Sequence, residues 1–250
     1  MSNSKTNFKV VLITGAGKRV GASIAEHCHK QGMRIAIHYR TSATEAEALC
    51  QKFNHEKNDT AIAIQSDLLT IKNHEILVDK VIKKWGQLDV LINNASSFYP
   101  TPIEHMTEKN WEDLVGSNLK APLFLSQTAM PYLKKQSGSI INMVDIQAQR
   151  PMKKYSIYCI AKAGLGMLTK SLAKELGPAI RVNGIAPGIA LWPDNTADFN
   201  PTLREKIIAR TALKRAGTPK DIADTVVFLI NANYITGQII AVDGGLSLDY

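Results

Sequence analysis

The stretch VVLITGAGKRVG at residues 10–21 decides the fold of this chain of 250 residues. An apolar, β-branched run ends in a glycine-rich turn that starts at Thr14, and a helical pattern follows from Arg19. Glycines between a buried strand and a helix let the backbone approach a diphosphate, which the helix N-terminus then binds through free N–H groups. The stretch therefore predicts the first strand–turn–helix unit of a dinucleotide-binding sheet. The alternative is a tight turn without a ligand.

The turn itself supplies the first candidate cofactor contacts. Lys18 and Arg19 place two cations beside the glycines, and cations at this point favour a bound anion. Arg19 can fork onto a phosphate or reach a substrate group. Together with Gly15 and Val20, these residues form the predicted phosphate-binding segment.

Outward from this unit, short apolar runs alternate with longer helical patterns. The predicted strands cover residues 8–14, 34–38, 61–64, 90–92, 139–143, 180–185 and 238–242. The predicted helices cover residues 19–31, 107–135, 154–176, 201–211 and 219–231. One further helix starts at Ser42, and another ends at Trp85. This alternation implies a parallel sheet covered on both faces. The predicted fold class is therefore α/β: a single-domain, Rossmann-type, doubly wound parallel sheet of seven strands over residues 1–250.

Two local features refine this prediction. Glu45 follows Ser42 by three residues, which predicts a capping box at the start of the second helix. Residues 188–201 form the one long irregular stretch, rich in Asp, Asn and Pro, and predict either a substrate lid or a surface insertion.

Composition excludes several classes of protein. Charged residues make up 21% of the chain, as is ordinary for a globular protein, and no apolar run approaches the length of a membrane span. The N-terminus lacks the apolar stretch of a signal peptide, and the three cysteines form no CxxC pair, so we expect a cytoplasmic protein without disulfides or a metal site. The net charge of +8 comes from scattered lysine pairs, which argues against nucleic-acid binding and is compatible with anionic ligands.

The end of the second predicted strand discriminates between NAD and NADP. NAD-binding sheets place an acid there, which accepts hydrogen bonds from the ribose hydroxyls. Residues 38–42 read HYRTS and contain no acid. Arg40 and the hydroxyl of Ser42 favour a 2′-phosphate, so NADP(H) is the predicted cofactor, with His38 and Tyr39 beside it.

Three further strand ends carry candidate cofactor contacts, since ligands of such sheets bind at the carboxyl ends of the strands. These contacts are Asp67 and Leu68 after the third strand, Asn94 and Ala95 after the fourth, and Pro187, Gly188 and Ile189 after the sixth. The aspartate can equally cap a helix, and the asparagine can equally form a turn.

A candidate catalytic pair lies in the long helix after the fifth strand. Tyr158 and Lys162 are four residues apart and therefore share one face of that helix. The nearby ammonium favours phenolate over phenol, which predicts a lowered pKa for Tyr158 and a proton donor for a group that receives hydride. Alone, such a pair is usually a surface neighbour, but Asp145 just past the fifth strand and Asn118 in the preceding helix favour a catalytic set.

With these motifs in their order, the chain resembles the short-chain dehydrogenase/reductases from Val10 to about Ser247, and within them the pteridine reductases. Four features carry the closer resemblance. Arg19 stands where the wider family usually has the second glycine of the turn, and Asp145 where it usually has serine. The stretch HYRTS at residues 38–42 resembles the phosphate-binding segment of pteridine reductases, and NASSFYPTP at residues 94–102 matches that subgroup closely.

The resemblance implies roles for individual residues. Tyr158 would donate the proton, Lys162 would hold the nicotinamide ribose and tune Tyr158, and Asn118 would complete a proton relay. Asp145 would orient Tyr158 and contact the pterin, and Phe98 would stack on one face of the pterin ring. Arg19 and Ser96 would contact both cofactor phosphate and substrate. In the lid, Leu191 and Trp192 are substrate candidates, although Trp192 can equally be a loop anchor, and Ala190 replaces a serine common in the subgroup.

The function that this resemblance implies is NADPH-dependent reduction of a dihydropterin (dihydrobiopterin or dihydromonapterin), with dihydrofolate as a further substrate. A carboxylate at residue 145 suits a ring that carries amino and N–H donors, as a pterin does. Two alternatives remain open: a 3-oxoacyl-carrier-protein reductase, and a non-catalytic NADP(H) sensor on a reductase scaffold. The resemblance also implies a homotetramer built through the two long helices and the C-terminal strand.

Overall fold

The seven apolar runs of the sequence form one parallel sheet. The computed structural model describes residues 8–192 and 199–248, and its strands are β1 (Val10–Ile13), β2 (Arg34–Tyr39), β3 (Ala61–Gln65), β4 (Val90–Asn93), β5 (Ser139–Met143), β6 (Arg181–Pro187) and β7 (Ile239–Val242). Their order across the sheet is β3-β2-β1-β4-β5-β6-β7, and every neighbouring pair is parallel. Strand order reverses between β1 and β4, so the crevice at their carboxyl ends is the place where a doubly wound sheet binds its ligand.

Helices cover both faces of this sheet. They are α1 (Arg19–Lys30), α2 (Ala43–Glu56), α3 (Lys72–Trp85), α4 (Glu108–Val115), α5 (Ala121–Lys135), α6 (Ser156–Leu176), α7 (Pro201–Arg210) and α8 (Pro219–Asn231). One buried apolar cluster joins the sheet to α1, α2 and α8, and a second joins its other face to α3, α5 and α6. The predicted doubly wound fold is confirmed. No helix within the two described ranges has the length and apolar character needed to cross a membrane.

The long helix predicted over residues 107–135 is interrupted. Between α4 and α5 the chain makes a π-helical turn, Gly116–Lys120, that contains Asn118. Side chains in this turn compete for the preceding carbonyls, since Asn118 Nδ2 donates to the oxygen of Leu114 at 2.9 Å and Ser117 Oγ donates to that of Asp113 at 2.7 Å. Such wide turns often occur at functional sites.

The predicted capping box at Ser42 is wrong. Ser42 precedes α2 with φ −86° and ψ 59°, and its hydroxyl makes no capping bond to the helix. The hydroxyl instead faces the glycine turn, where a Cβ added to Gly17 would lie 2.6 Å from Ser42 Oγ. The serine is therefore presented to the ligand crevice and not to its own helix.

Candidate active site

A cleft of about 680 Å³ lies at the carboxyl ends of the strands, over the switch point between β1 and β4. Most of the residues predicted as contacts line it: Gly15, Lys18, Arg19, Val20, His38, Tyr39, Arg40, Ser42, Asp67, Leu68, Asn94, Ala95, Ser96, Phe98, Asp145, Tyr158, Gly188, Ile189, Leu191 and Trp192. Lys162 and Asn118 are buried behind the lining, and Pro187 ends β6 beside it. Residues distant in sequence are thus brought together in one site.

Asn94 and Thr14 fix the glycine turn at the mouth of β1. Asn94 Nδ2 donates to the carbonyl oxygens of Thr14 at 2.8 Å and of Gly15 at 3.1 Å. The hydroxyl of Thr14 accepts from the backbone N–H groups of Asn94 and Ala95, both at 2.9 Å. Asn94 therefore forms the turn contacts that the sequence offers as one alternative, and it also lines the cleft.

The geometry of the turn fits a diphosphate. Lys18 is the N-cap of α1, whose first turn carries no acid, so the N–H groups and partial positive charge at this helix end face an anion site. Gly17 packs closely against Ser42, since an added Cβ would lie 2.6 Å from Ser42 Oγ, and the absent side chain lets the turn pass this close. The described residues therefore fit the dinucleotide that the sequence predicts.

Arg19 adopts a backbone conformation that favours glycine. Its φ is +57°, in the left-handed region, which explains why a glycine is usual at this position of the family turn. The guanidinium that this chain places there donates from Nη2 to the carbonyl oxygen of Trp192 at 2.8 Å. Arg19 therefore connects the glycine turn to the segment after β6.

Arg40 places a cation in the lining of the cleft. Its side chain is half exposed, and its Nη1 atom lies 4.0 Å from Asp113 Oδ1 on α4. At that distance and exposure the pair is weak, so the guanidinium can turn to a stronger anion. With Ser42 nearby and no acid in residues 38–42, the site offers positive charge and a hydroxyl.

Asp145 and Tyr158 form a hydrogen-bonded pair in the cleft, with Tyr158 buried and Asp145 half-buried. Tyr158 donates its hydroxyl proton to Asp145 Oδ2 at 2.7 Å, and Asp145 Oδ1 accepts from the backbone N–H of Gln147 at 2.9 Å. Burial first, and then the Asp145 charge, raise the pKa of Tyr158 well above its usual range. Burial also raises the pKa of Asp145. The predicted lowering of the Tyr158 pKa is therefore wrong, because burial and the Asp145 carboxylate both raise this pKa.

Lys162 stands behind this pair. Its ammonium donates to the carbonyl oxygen of Met143 at 2.7 Å and lies 5.6 Å from the centre of the Tyr158 ring. Complete burial lowers the pKa of Lys162 to about 8, against the opposing effect of the Asp145 charge. The lysine therefore lies beside Tyr158 without a direct hydrogen bond to its hydroxyl.

Ser96 and Asn118 link the segment after β4 to the π-helical turn. Ser96 Oγ donates to Asn118 Oδ1 at 2.6 Å, and Asn118 Nδ2 donates to the carbonyl oxygen of Ser97 at 2.9 Å. The side chain of Asn118 thereby holds the segment that carries Phe98 over the cleft.

An aromatic group forms one wall of the cleft. The Phe98 ring stacks on Tyr155, with centroids 4.7 Å apart, and meets the Tyr158 ring edge-on at 4.8 Å. Across the cleft, Trp192 contacts Phe199 at 5.8 Å between centroids and lies under the Arg204 guanidinium at 5.1 Å. Trp192 is therefore both a wall of the cleft and an anchor of its loop. Part of the predicted lid, residues 193–198, lies outside the described residues.

Sequence reasoning missed several residues of the site. The sequence places Thr14 in the turn but does not indicate that its hydroxyl accepts two backbone hydrogen bonds there. The spacing of three residues between Tyr155 and Tyr158 is the one sequence signal that places Tyr155 on the same side of the helix. The remaining missed lining residues are apolar or amide side chains without motif character: Gln147, Met152, Phe199, Ile207 and Leu246.

The fold and this site define a dinucleotide-dependent oxidoreductase, and comparison with known proteins places it in a family. Residues 15–247 match the family described as enoyl-(acyl carrier protein) reductase. The chain is 37% identical to pteridine reductase 1 of Leishmania tarentolae, over 96% of each protein. It is 36% identical to the 3-oxoacyl-(acyl-carrier-protein) reductase FabG of Staphylococcus aureus, over 95% of this chain and 98% of that protein. The chain belongs to the short-chain dehydrogenase/reductase family and is a reductase.

Proposed function

We propose that this reductase is an NADPH-dependent pteridine reductase, which converts a dihydropterin such as dihydrobiopterin or dihydromonapterin, and also dihydrofolate, to the tetrahydro form. The observation that carries the proposal is the Asp145 carboxylate, which lies half-buried just past the end of β5 and 2.7 Å from the Tyr158 hydroxyl. Each of its oxygens accepts one hydrogen bond from the protein, and a carboxylate oxygen can accept from further donors. The amino and N–H groups of a pterin supply them, whereas a ketone or thioester carbonyl supplies none.

The protonation states of the pair support the chemistry. When bound, a reduced nicotinamide supplies a hydride to the carbon of the C=N bond. Tyr158 keeps its proton at neutral pH because burial and Asp145 raise its pKa, so a proton is present for the ring nitrogen. The raised pKa also makes the hydroxyl a weaker acid, so the transfer depends on stabilising the phenolate that forms. The buried ammonium of Lys162 stabilises the negative charge that Tyr158 then carries. One hydride and one proton complete the reduction of one C=N bond.

The walls of the cleft support a flat substrate. Phe98 is backed by Tyr155 and is therefore held as a rigid platform, on which an aromatic ring can stack. Leu191, Trp192 and Ile207 extend the apolar lining toward the mouth, where the substrate tail would lie. Arg19 and Ser96 then approach both the diphosphate and the ring, as the resemblance implies.

Arg40 and Ser42 support NADPH over NADH. Their cation and hydroxyl sit where an NAD-binding sheet carries an acid. The cofactor set of the proposal is completed by the α1 N-terminus with Lys18 and Val20, by Asp67 and Leu68, and by Gly188 and Ile189, all of which line the cleft.

A 3-oxoacyl-carrier-protein reductase is the second candidate, because the identity to the Staphylococcus aureus reductase is nearly as high as that to the Leishmania protein. NADPH oxidation at 340 nm with dihydrobiopterin, dihydrofolate and an acetoacetyl thioester separates the two. Turnover of a pterin supports the proposal, and turnover of the thioester alone contradicts it. Tight NADPH binding without turnover of any of the three indicates the non-catalytic sensor.

We further propose a cytoplasmic homotetramer that forms through the two long helices and the C-terminal strand. Ile160 and Met167, on α6, are more than half exposed, and Trp111, on α4, is nearly half exposed. Such apolar surface is typical of a face that a second copy covers. Light scattering that gives the mass of one chain would contradict this assembly.

A further inference from the structure

One buried ring is bonded to the phosphate-binding turn. His38, at the end of β2, is 2% exposed. The backbone N–H of Gly15 donates to its Nδ1 atom at 3.1 Å, and its Nε2 atom lies 3.0 Å from the carbonyl oxygen of Ser66. Both ring nitrogens are thus engaged by backbone, one on each side of β2.

These two partners fix the protonation of the ring. A backbone N–H can only donate, so Nδ1 must accept, and a carbonyl oxygen can only accept, so Nε2 must carry the hydrogen. A neutral ring with its hydrogen on Nε2 satisfies both partners, whereas a doubly protonated ring would turn an N–H toward the N–H of Gly15. Burial supports the neutral form, because it lowers the pKa of His38 to about 4. The other groups that face the ring are His74, which lowers this pKa, and Asp67, which raises it.

With the bonds to His38, the N–H and C=O groups of two successive peptides in the turn are all hydrogen-bonded. In the Thr14–Gly15 peptide, the oxygen accepts from Asn94 and the N–H donates to the His38 ring. In the Gly15–Ala16 peptide, the oxygen accepts from Asn94 and the N–H donates to the His38 carbonyl at 2.9 Å. The Gly15 N–H is therefore used within the protein, and a diphosphate must be bound by the N–H groups that follow, at the start of α1.

We propose that His38 is a positioning residue, whose neutral ring sets the phosphate-binding turn for the cofactor diphosphate without touching the cofactor. The proposal rests on the NADP(H) binding proposed above. It adds that the His38 ring acts on cofactor binding through the backbone of the turn. The acceptor atom Nδ1 is the essential one, since it alone reaches the turn.

Two amide substitutions separate the two ring nitrogens. His38→Asn places an oxygen near the position of Nδ1 and keeps an acceptor for Gly15, but loses the donor to Ser66. His38→Gln places an amide near the position of Nε2 and keeps a donor for Ser66, but loses the acceptor for Gly15. His29→Gln is the control, because His29 is another buried ring, bonded to Thr60 Oγ1 at 2.9 Å, and lies outside the cleft lining.

The measurement is the dissociation constant of NADP⁺ by calorimetry, together with hydrogen–deuterium exchange of the peptide that spans residues 10–21 in the ligand-free protein. We expect His38→Gln to raise the dissociation constant by about tenfold and to speed exchange in that peptide, because an unpaired buried N–H is costly. We expect His38→Asn to stay within about threefold of wild type. His29→Gln should lower thermal stability and leave the dissociation constant unchanged.

The outcomes are distinct. If His38→Asn and His38→Gln weaken NADP⁺ binding equally, or if neither weakens it, the proposed role of His38 is overturned. In both cases NADP⁺ binding by wild type leaves the proposed function standing. If the Gln variant does not fold, the Asn variant still decides, because a tenfold loss of affinity there contradicts an acceptor role. A wild-type protein that binds neither NADP⁺ nor NAD⁺ overturns the proposed function and this inference together.

Discussion

Replacing the buried lysine of the site should make the protein more stable and inactive. Lys162 is fully buried, and its pKa falls from 10.5 to about 8 on folding. This shift of about 2.5 units corresponds to about 3 kcal/mol of destabilisation at neutral pH, at 1.36 kcal/mol per unit. Lys162→Met removes that penalty in a side chain of similar length. It also removes the donor to the Met143 carbonyl, which costs about 1 kcal/mol. The expected net gain is about 2 kcal/mol.

The pH dependence of this gain tests its cause. The folded-state pKa of Lys162 lies below its unfolded value, so between about pH 8 and 10.5 the unfolded chain binds more protons and wild-type stability rises with pH. The advantage of Lys162→Met is therefore largest below pH 8 and fades toward pH 10. Urea unfolding of both proteins at pH 7 and pH 9.5, at one protein concentration, measures it. A variant that is no more stable than wild type at pH 7, or whose advantage does not shrink with pH, would refute the reasoning.

Three further substitutions test other parts of the site. Arg19→Gly relieves the strain of a left-handed backbone conformation but removes the hydrogen bond to the Trp192 carbonyl. We expect a free energy of unfolding within about 1 kcal/mol of wild type and a fall in kcat/KM for a pterin. An unchanged kcat/KM would argue against the link between Arg19 and the segment after β6. Arg40→Glu should raise the dissociation constant of NADP⁺ by at least about tenfold in calorimetry and leave that of NAD⁺ little changed, whereas equal loss of both would indicate general damage. His38 has a folded-state pKa of about 4, below its unfolded 6.5, so wild type should lose about 3 kcal/mol as the pH falls through that window. In urea titrations His38→Asn should show a shallower decline, and parallel curves would assign that acid loss to other groups.

The sheet could be predicted because its strands are buried on both faces and therefore read as continuous apolar runs. The positions of the site followed from the same pattern. In a parallel sheet all carboxyl ends lie at one edge, so the turn at Gly15, the HYRTS segment and Asp145 had to meet there. Asp145 and Tyr158 were expected to interact on the evidence of spacing and resemblance, and the 2.7 Å bond confirms that they do.

The features that escaped prediction depend on neighbours far away in sequence. The hydroxyl of Ser42 makes no capping bond to its own helix and lies against the glycine turn, which is more than twenty residues earlier in the chain. The direction of the Tyr158 pKa shift is set by burial and by the Asp145 carboxylate, which comes from the segment after β5. The π-helical turn at Asn118 lies where side chains compete with backbone N–H groups for the preceding carbonyl oxygens. The periodicity of apolar residues gives no sign of that competition.

The measurement that tests the central claim most directly is NADPH oxidation by wild type, Asp145→Ser and Asp145→Asn with dihydrobiopterin and an acetoacetyl thioester side by side. If the Asp145 carboxylate selects a pterin, wild type turns over dihydrobiopterin. Loss of this charged hydrogen-bond acceptor in either variant then lowers kcat/KM for that substrate by at least about tenfold. The same variants should not lose activity with the thioester. A wild type that reduces only the thioester, or an Asp145→Ser variant with full pterin activity, would contradict the account.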